Sequence, residues 1–353
     1  MRKTRQPIGG PASWHGAEMA RSPAWNRTLE PAALEEIEQA LRIAQGRGVS
    51  WRETSPADFP LPQVAALLGA IGAELEAGRG VVKLGALPIA RYAADELKQL
   101  FFGLGSYLGR AVHQSNTGEL LAEIRDEGVD AGAARGQLVS DDDEVFLSSR
   151  ARVHSTGPLR FHTDRTDVAG LLCVRKAGSG GINKIVSSVA IHDEMLARRP
   201  DLLELLFGDY HRSRLGEEAG GEASSYALPV FALRDGHFTS HYSRTYIEAA
   251  QLNPEVPPMT AEQWQALDLL AEIGEQLCFE ATLEPGEMLF LNNHVIYHSR
   301  DAYEDPGVAG QERLLYRLWL SVPNSRPLPE GHEVLWGRIE AGALRGGIGQ
   351  AAG

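Results

Sequence analysis

Short apolar runs bounded by turn residues fill the second half of the chain, and they constrain its fold more than any other feature. Most are bounded by Gly, Pro, Asn or Asp, which favours a barrel or jelly roll of short strands. Two segments with helical spacing, at about 191–207 and 261–277, interrupt them, and the second opens with a capping-box pattern from Thr260 to Gln263. The runs cover residues 159–164, 169–175, 182–188, 229–233, 237–242, 278–282, 287–292 and 314–322.

The first third of the chain mixes helix and strand. Three segments carry apolar residues at helical spacing, and one β-like run separates the second from the third. The helical segments are about 31–45, 62–76 and 93–108, and the run is 80–87. This pattern predicts a mixed α and β fold, in which helices buttress one side of a β core that extends over about 80–323.

We expect a single domain flanked by an arm and a tail. Residues 1–27 lack periodicity and predict an extended arm with Trp14 and Trp25 as docking anchors. Residues 337–353 are rich in Gly and Ala and predict a flexible tail. No linker divides the domain between them, which spans 28–336.

The stretch 115–158 is Gly-rich and acidic and gives little periodic signal. Its run Asp141-Asp142-Asp143-Glu144 is typical of a solvated loop. A mobile lid over a site is the alternative interpretation.

Charge and cysteine content narrow the classes of partner. The formal net charge is -13 and the sequence pI is about 5.4, so a phosphate backbone or an anionic membrane would repel the chain. Cys173 and Cys278 are far apart in apolar surroundings, which predicts reduced thiols.

No apolar stretch approaches the ~20 residues that span a bilayer, and no signal-peptide core follows the basic N-terminus. We expect a cytoplasmic protein with a small-molecule partner, and a homo-oligomer remains open.

The segment Phe161-His162-Thr163-Asp164 places two candidate metal ligands two residues apart. On a strand, residues two apart project to the same face, so His162 and Asp164 can hold one ion between them. Such a triplet also arises often by chance, so it is a weak signal when taken alone.

A second candidate element begins at a Pro-Gly turn, residues 285–286, and continues as an apolar strand that ends with His294 and His298. Two imidazoles and one carboxylate form the triad that suits non-haem Fe(II), because three protein ligands leave room for a chelating cosubstrate and oxygen. His294 shares the strand face with His298 if the strand is regular, so it is the competing ligand.

Arg313 and Arg317 lie four apart on an alternating strand pattern that spans residues 313–320. Arginine suits a bidentate grip on a carboxylate, such as the far carboxylate of 2-oxoglutarate. A pair of surface arginines is the alternative, but their position among Leu and Trp favours burial and a bound anion.

Together, these elements resemble the TauD/TfdA-like dioxygenases, the group that contains taurine and 2,4-dichlorophenoxyacetate dioxygenases. The resemblance runs from about residue 80 to residue 323. It is strongest over 161–164 with Thr166, over 180–190 and over 285–317. It implies a double-stranded β-helix, a cupin-like jelly roll, and an oxidoreductase that uses Fe(II), 2-oxoglutarate and O2.

The resemblance assigns the iron to His162, Asp164 and His298. His294 then becomes a pocket or core residue. The family's "DN" pair is replaced by Asn292-Asn293 in this chain, a departure that we expect to affect local structure and not iron binding.

The resemblance also assigns the cosubstrate contacts. Arg313 would bind the distal carboxylate of 2-oxoglutarate, and Arg317 would lie near the substrate or the cosubstrate's other end. Asn183 stands where the family usually has a Thr or Ser that helps hold this carboxylate. An amide can still donate a hydrogen bond there.

Substrate contacts are predicted by position alone. In this fold, the region of His241-Tyr242-Ser243-Arg244 tends to face the iron. We therefore expect His241 and Arg244 to join Arg317 in contacting the substrate.

The reaction that the resemblance implies is oxidative decarboxylation of 2-oxoglutarate to succinate and CO2, coupled to hydroxylation of an unactivated C–H bond. The substrate would be a small polar or anionic molecule, and desaturation or ring closure remain open. Two other classes compete with this reading. One is a cupin-like metalloenzyme that does not use 2-oxoglutarate, and the other is a non-catalytic 2-oxoglutarate-binding protein.

Overall fold

The computed structural model of the chain describes residues 5–128, 137–139, 145–147, 149–215, 217–218 and 221–349. The acidic run 141–144, for which we predicted a loop or a lid, lies outside these ranges. Within them, the fold is mixed α and β, as the sequence predicts, with two main sheets. Helices pack on both sheets, so the prediction that they buttress one side of the β core is wrong. No helix in this part of the chain has the length and apolar character needed to cross a membrane.

The α-helices match most of the predicted helical segments. The segment 191–207 divides into two helices at Arg199, because a proline at 200 disfavours helical backbone at the residue before it. The helix at 261–277 begins with the predicted capping box between Thr260 and Gln263. The helices are α1 Gly16–Met19, α2 Pro31–Gly46, α3 Val64–Ala77, α4 Ala94–Ser106, α5 Ser149–Val153, α6 Ser188–Arg198, α7 Pro200–Leu205, α8 Arg244–Ala250, α9 Ala261–Leu277 and α10 Glu333–Trp336.

The strands are short, as the bounded apolar runs predict. They are β1 Asn26–Thr28, β2 Val81–Gly85, β3 Arg110–Ala111, β4 Leu121–Ile124, β5 Gln137–Val139, β6 Val145–Leu147, β7 Leu159–His162, β8 Val168–Arg175, β9 Ser179–Gly180, β10 Asn183–Ser187, β11 Asp209–Ser213, β12 Ser225–Pro229, β13 Phe231–Arg234, β14 His237–Ser240, β15 Phe279–Ala281, β16 Met288–Asn292, β17 Ile296–Arg300, β18 Tyr303–Glu304 and β19 Leu314–Ser321.

The larger sheet has the order β1-β2-β16-β8-β19 among the described residues, and both β3 and β4 pair with β19. The pairing of β1 with β2 is parallel, and the other pairs are antiparallel. Side chains from one face of this sheet, including Phe290 and Leu318, share a core with Leu41, Leu68 and Phe101 of helices α2, α3 and α4. These helices therefore cover that face.

The smaller sheet has the order β15-β10-β17-β7 within the described ranges. Its residues Ile185 and Tyr297 share a second core with Leu289 and Leu315 of the larger sheet. Helix α9 contributes Leu270 to the same core. The two sheets therefore pack on common apolar side chains. Within the smaller sheet, β7 and β17 are antiparallel neighbours.

The predicted arm is docked over residues 5–27, where its tryptophans contact the smaller sheet and its last two residues begin β1 of the larger sheet. The rings of Trp14 and Trp25 both meet Phe279 edge to face, with centroid distances of 5.6 and 5.0 Å. The indole N–H of Trp14 also donates to the carbonyl of Arg79. Both tryptophans are buried, as expected of docking anchors.

The C-terminal segment differs from the predicted flexible tail. Over residues 337–349 it packs against the core, with Ile348 and Arg345 buried. The guanidinium of Arg345 donates to Asp167 at 2.8 Å, so a buried ion pair fastens the segment. Its glycines, which suggested fraying, serve a different purpose, because Gly346 has a φ of 73° and allows the chain to turn back.

Candidate metal and cosubstrate site

Two antiparallel strands bring the predicted histidines together. His162 in β7 and His298 in β17 are directly opposed across the sheet, and their ring centroids are 4.2 Å apart. Asp164 follows β7, and one ligand atom from each of these three residues lies within 4.8 Å of the others. Nε2 of His162 is 3.8 Å from the carboxylate of Asp164, and Nε2 of His298 is 3.9 Å from it. One ion can therefore contact all three.

The chemistry of these three residues fits a divalent cation. Nδ1 of His162 lies 2.9 Å from the carbonyl of Arg160, so donation there leaves Nε2 as the ligand atom. Burial lowers the pKa of His298 to about 3, which keeps its imidazole neutral and able to coordinate. Oδ2 of Asp164 is buried without a hydrogen-bond partner in the described part of the chain. A buried, unpaired carboxylate oxygen is costly unless a cation contacts it.

Electrostatics keep Asp164 ionised. Burial acts to raise its pKa, but the opposing effects, led by the charge of Arg317, outweigh it, and the pKa of Asp164 falls below its usual value. Nη1 of Arg317 is 3.5 Å from Oδ1 of Asp164. The aspartate is therefore a carboxylate, as a metal ligand must be.

His294, the competing ligand, lies in a separate buried network. Its Nδ1 is 2.8 Å from the hydroxyl of Thr239, and its Nε2 is 2.9 Å from the carboxylate of Asp167. Both ring nitrogens therefore have partners away from Asp164. The structure places His294 in the core and leaves His298 as the histidine beside His162.

Arg313 lies at a small cavity lined in part by β8 and β10. Its side chain is buried, and Nη1 has no hydrogen-bond partner within the described ranges. Arg313 and Asn183 line the same small cavity. The side-chain amide of Asn183 donates to the carbonyl of Ala281 at 3.3 Å. A buried guanidinium with an unpaired N–H is stabilised by a bound anion, so this position suits a carboxylate.

Arg317 is oriented by a residue that sequence reasoning missed. Its Nε donates to Oε1 of Gln114 at 2.7 Å, and Nε2 of Gln114 donates back to the carbonyl of Arg317 at 2.8 Å. The guanidinium carbon also lies 5.0 Å from the ring centroid of Trp319. Gln114 directly precedes the stretch of weak sequence signal, and no motif marked it.

A cavity opens onto this site, and two of the three substrate contacts that we predicted, His241 and Arg317, line it. His241 lines it, with Nδ1 3.2 Å from the hydroxyl of Thr163 and Nε2 2.9 Å from the hydroxyl of Tyr226. Arg244 does not line it. Its guanidinium binds Glu248 at 2.7 Å and Asp268 at 2.6 Å, so the prediction for Arg244 is corrected to an ion pair outside the cavity.

The cavity also includes residues that sequence reasoning did not select. Each of them is distant in sequence from other residues of the cavity, so no local sequence spacing predicts its position there. They are Arg165, Ser213, Arg214, Glu217, Tyr226 and Tyr246.

Comparisons with known proteins agree with this geometry. The chain is 28% identical over 332 residues to "FR-33289 synthase" of Streptomyces rubellomurinus (strain ATCC 31215), covering 92% of this chain and 93% of the relative. It is 27% identical over 310 residues to "Taurine hydroxylase-like protein SAT17" of Stachybotrys chartarum (strain CBS 109288 / IBT 7711), covering 87% and 77%.

Two solved structures share its fold. Asparagine oxygenase in complex with Fe(II), 2S,3S-3-hydroxyasparagine and succinate superposes with a TM-score of 0.62 at 16% identity, covering 84% of this chain and 93% of that one. The non-haem iron oxygenase OrfP in complex with Fe and α-ketoglutaric acid superposes with a TM-score of 0.59 at 14% identity, covering 84% and 94%.

A family model extends the agreement over most of the chain. The model described as "Taurine catabolism dioxygenase TauD, TfdA family" matches residues 46–319. This range contains the triad of His162, Asp164 and His298. It also contains Arg313, which directly precedes β19, and Arg317, which lies in β19. The chain belongs to the TauD/TfdA family of Fe(II)- and 2-oxoglutarate-dependent oxygenases.

Proposed function

We propose that this protein hydroxylates an unactivated C–H bond of a small polar or anionic molecule, R–H. In the balanced reaction, R–H, 2-oxoglutarate and O2 give R–OH, succinate and CO2. The observation that carries the proposal is the opposed pair His162 and His298 beside the buried, ionised Asp164. In the proposed fold, the two packed sheets form the double-stranded β-helix.

Each residue of the site has a role in this proposal. His162, Asp164 and His298 hold the iron, which supplies the redox chemistry that activates O2 when 2-oxoglutarate is bound. Arg313 binds the far carboxylate of 2-oxoglutarate through its unpaired Nη1. Arg317, held by Gln114, keeps Asp164 ionised and orients the molecules bound beside it. The buried walls exclude water from the reacting groups.

The cavity lining supports a polar substrate. His241 and Tyr226 present a hydrogen-bonded pair to it. The side chain of Gln114 also lines it, beside Arg317. Groups of this kind fix the orientation of a small molecule through hydrogen bonds.

Anaerobic visible spectroscopy tests the proposed cofactors. Apo-protein receives Fe(II) and then 2-oxoglutarate, and we expect a weak metal-to-ligand charge-transfer band. The band should be absent in His162→Ala, which loses a ligand. It should persist in His237→Ala, a matched control because His237 is exposed. A metal-replete wild type that forms no band would refute the proposal.

A further inference from the structure

Arg165 lies beside the triad and keeps part of its side chain available. It follows the ligand Asp164 directly and lines the same cavity. Its Nε donates to the carbonyl of Leu335 at 2.7 Å, and its Nη2 donates to Glu222 at 3.0 Å. The side-chain hydrogen bonds of Arg165 within the described ranges use Nε and Nη2 and not Nη1. These bonds hold the guanidinium in place and leave one charged donor for a ligand.

Arg214 stands behind Arg165, and the same carboxylate joins them. Its side chain is 4% exposed, and Nη1 lies 3.4 Å from Oε2 of Glu222 but has no hydrogen-bond partner in the described part of the chain. Nε and Nη2 donate to the carbonyls of Ala223 and Val334. Glu222 therefore contacts the guanidiniums of both Arg165 and Arg214, and its single negative charge cannot neutralise both.

The rest of the lining does not remove this excess of positive charge. Glu217 also lines the cavity, and its carboxylate, which accepts a hydrogen bond from Tyr246 at 2.7 Å, offsets one of these positive charges. Arg212 is fully buried next to the cavity and donates only to backbone carbonyls, including that of His241, so its charge restores the excess. Since Asp164 serves the iron in the proposed function, the cavity favours an anionic ligand.

We propose that Arg165, supported by Arg214, binds an acid group on the substrate. The inference rests on the proposed function and deepens it, because it names the substrate class as a small organic acid. Arg165 binds the carboxylate, sulfonate or phosphonate of this acid through Nη1, while the C–H bond to be oxidised lies at the triad. Arginine is suited to such oxyanions because its planar donors match their geometry.

Binding of simple oxyanions to the loaded enzyme tests the inference. The protein is first saturated with Fe(II) and 2-oxoglutarate under anaerobic conditions, so that the charge-transfer band is present and Arg313 is occupied. Acetate, methanesulfonate and methylphosphonate are then titrated at constant ionic strength, with methylammonium as the cationic control. The readouts are a shift of the band and of the melting temperature. We expect at least one oxyanion to bind and methylammonium not to bind, and the strongest probe identifies the type of acid.

Three variants locate the binding. Arg165→Gln should weaken oxyanion binding at least tenfold, as expected for loss of a charge-assisted hydrogen bond, and leave the band intact. Glu222→Gln should strengthen it severalfold, because the competing carboxylate is removed, and misfolding cannot produce this gain. Arg244→Gln, a matched control outside the cavity, should bind like the wild type.

The outcomes separate the two hypotheses. If the band does not form before any probe is added, the proposed function fails. If the band forms but no oxyanion binds, or methylammonium binds equally well, or Glu222→Gln leaves the affinity unchanged, the inference is overturned while the proposed function stands.

Discussion

Single residues of the site differ in how far the sequence predicts them. The spacing of His162 and Asp164 predicts a shared strand face, and the structure brings both next to His298. Spacing alone left His294 and His298 as competing ligands, and the family resemblance favoured His298. The structure supplies the physical reason, because His294 is bound to Asp167, which is remote in sequence. Arg165 was missed for a similar reason, since its cavity depends on Arg214 and Tyr226, which lie far along the chain.

Arg313 provides the residue-scale prediction. Arg313→Ala should weaken 2-oxoglutarate binding roughly 10- to 100-fold, because a charge-assisted hydrogen bond contributes about 1.5–3 kcal/mol. Arg313→Lys should recover part of this loss, since it keeps the charge but not the planar donors. Titration of the Fe(II) protein with 2-oxoglutarate, followed by the charge-transfer band, measures the affinity. Arg175→Ala on β8 is the control, and an Arg313→Ala affinity equal to that of the wild type would contradict the role.

Secondary-structure elements were predicted where local signals are strong. The helix at 261–277 was found because Thr260 and Gln263 form a capping box and the apolar spacing is regular. The docking of the C-terminal segment was not predicted. It depends on the pairing of Arg345 with Asp167, which lies 178 residues away in the sequence. Local composition cannot report a contact over such a distance.

The Pro-Gly turn before β16 provides the element-scale prediction. Gly286 has a φ of 92°, and a Cβ there would lie 2.1 Å from the carbonyl oxygen of Leu87. Gly286→Ala should therefore lower the free energy of unfolding by about 2 kcal/mol or more, through strain and a backbone clash. Denaturant unfolding measures this change.

Gly236→Ala is the matched control for this turn. Gly236 has a similar φ of 81°, but nothing lies within 4 Å of its added Cβ. The Gly236→Ala variant should therefore lose only the free energy of backbone strain, about 1 kcal/mol of unfolding free energy. Equal losses in both variants would show that the contact with Leu87 is not the cause.

At the scale of the whole molecule, a buried polar network joins distant parts of the chain. The carboxylate of Asp167 accepts hydrogen bonds from Arg345 and from the backbone N–H of Val322, and it lies within hydrogen-bond distance of His294. These groups come from β8's approach, the loop between β16 and β17, the end of β19 and the C-terminal segment. The network therefore makes the stability of the molecule sensitive to the protonation of its histidine.

Acidification provides the whole-molecule prediction. Burial lowers the pKa of His294 to about 4, although Asp167 acts to raise it. In the unfolded chain the pKa is about 6.5, so the unfolded state binds a proton that the folded state does not. The free energy of unfolding should therefore fall as pH decreases from about 6.5 to 4, by about 2–3 kcal/mol from this residue.

Denaturant unfolding of apo-protein at pH 7, 5.5 and 4.5 measures this loss, with His294→Gln for comparison. The variant should be less stable at pH 7, because it loses the contacts with Thr239 and Asp167. It should also lose less stability on acidification, and the other histidines contribute equally to both proteins. If the free energy of unfolding fell equally with pH in both proteins, His294 would be excluded as the source of the acid-induced loss of stability.

The docking of residues 337–349 has a consequence for the order of events during synthesis. Ile348 packs with Trp319 of the cavity wall, and Gly347 donates to the carbonyl of Arg165. A nascent chain therefore cannot complete the cavity until these residues have left the ribosome, even though His298 emerges well before them. Iron bound before then would lie in an incomplete site that is open to water. We therefore expect iron to be loaded after this segment has docked.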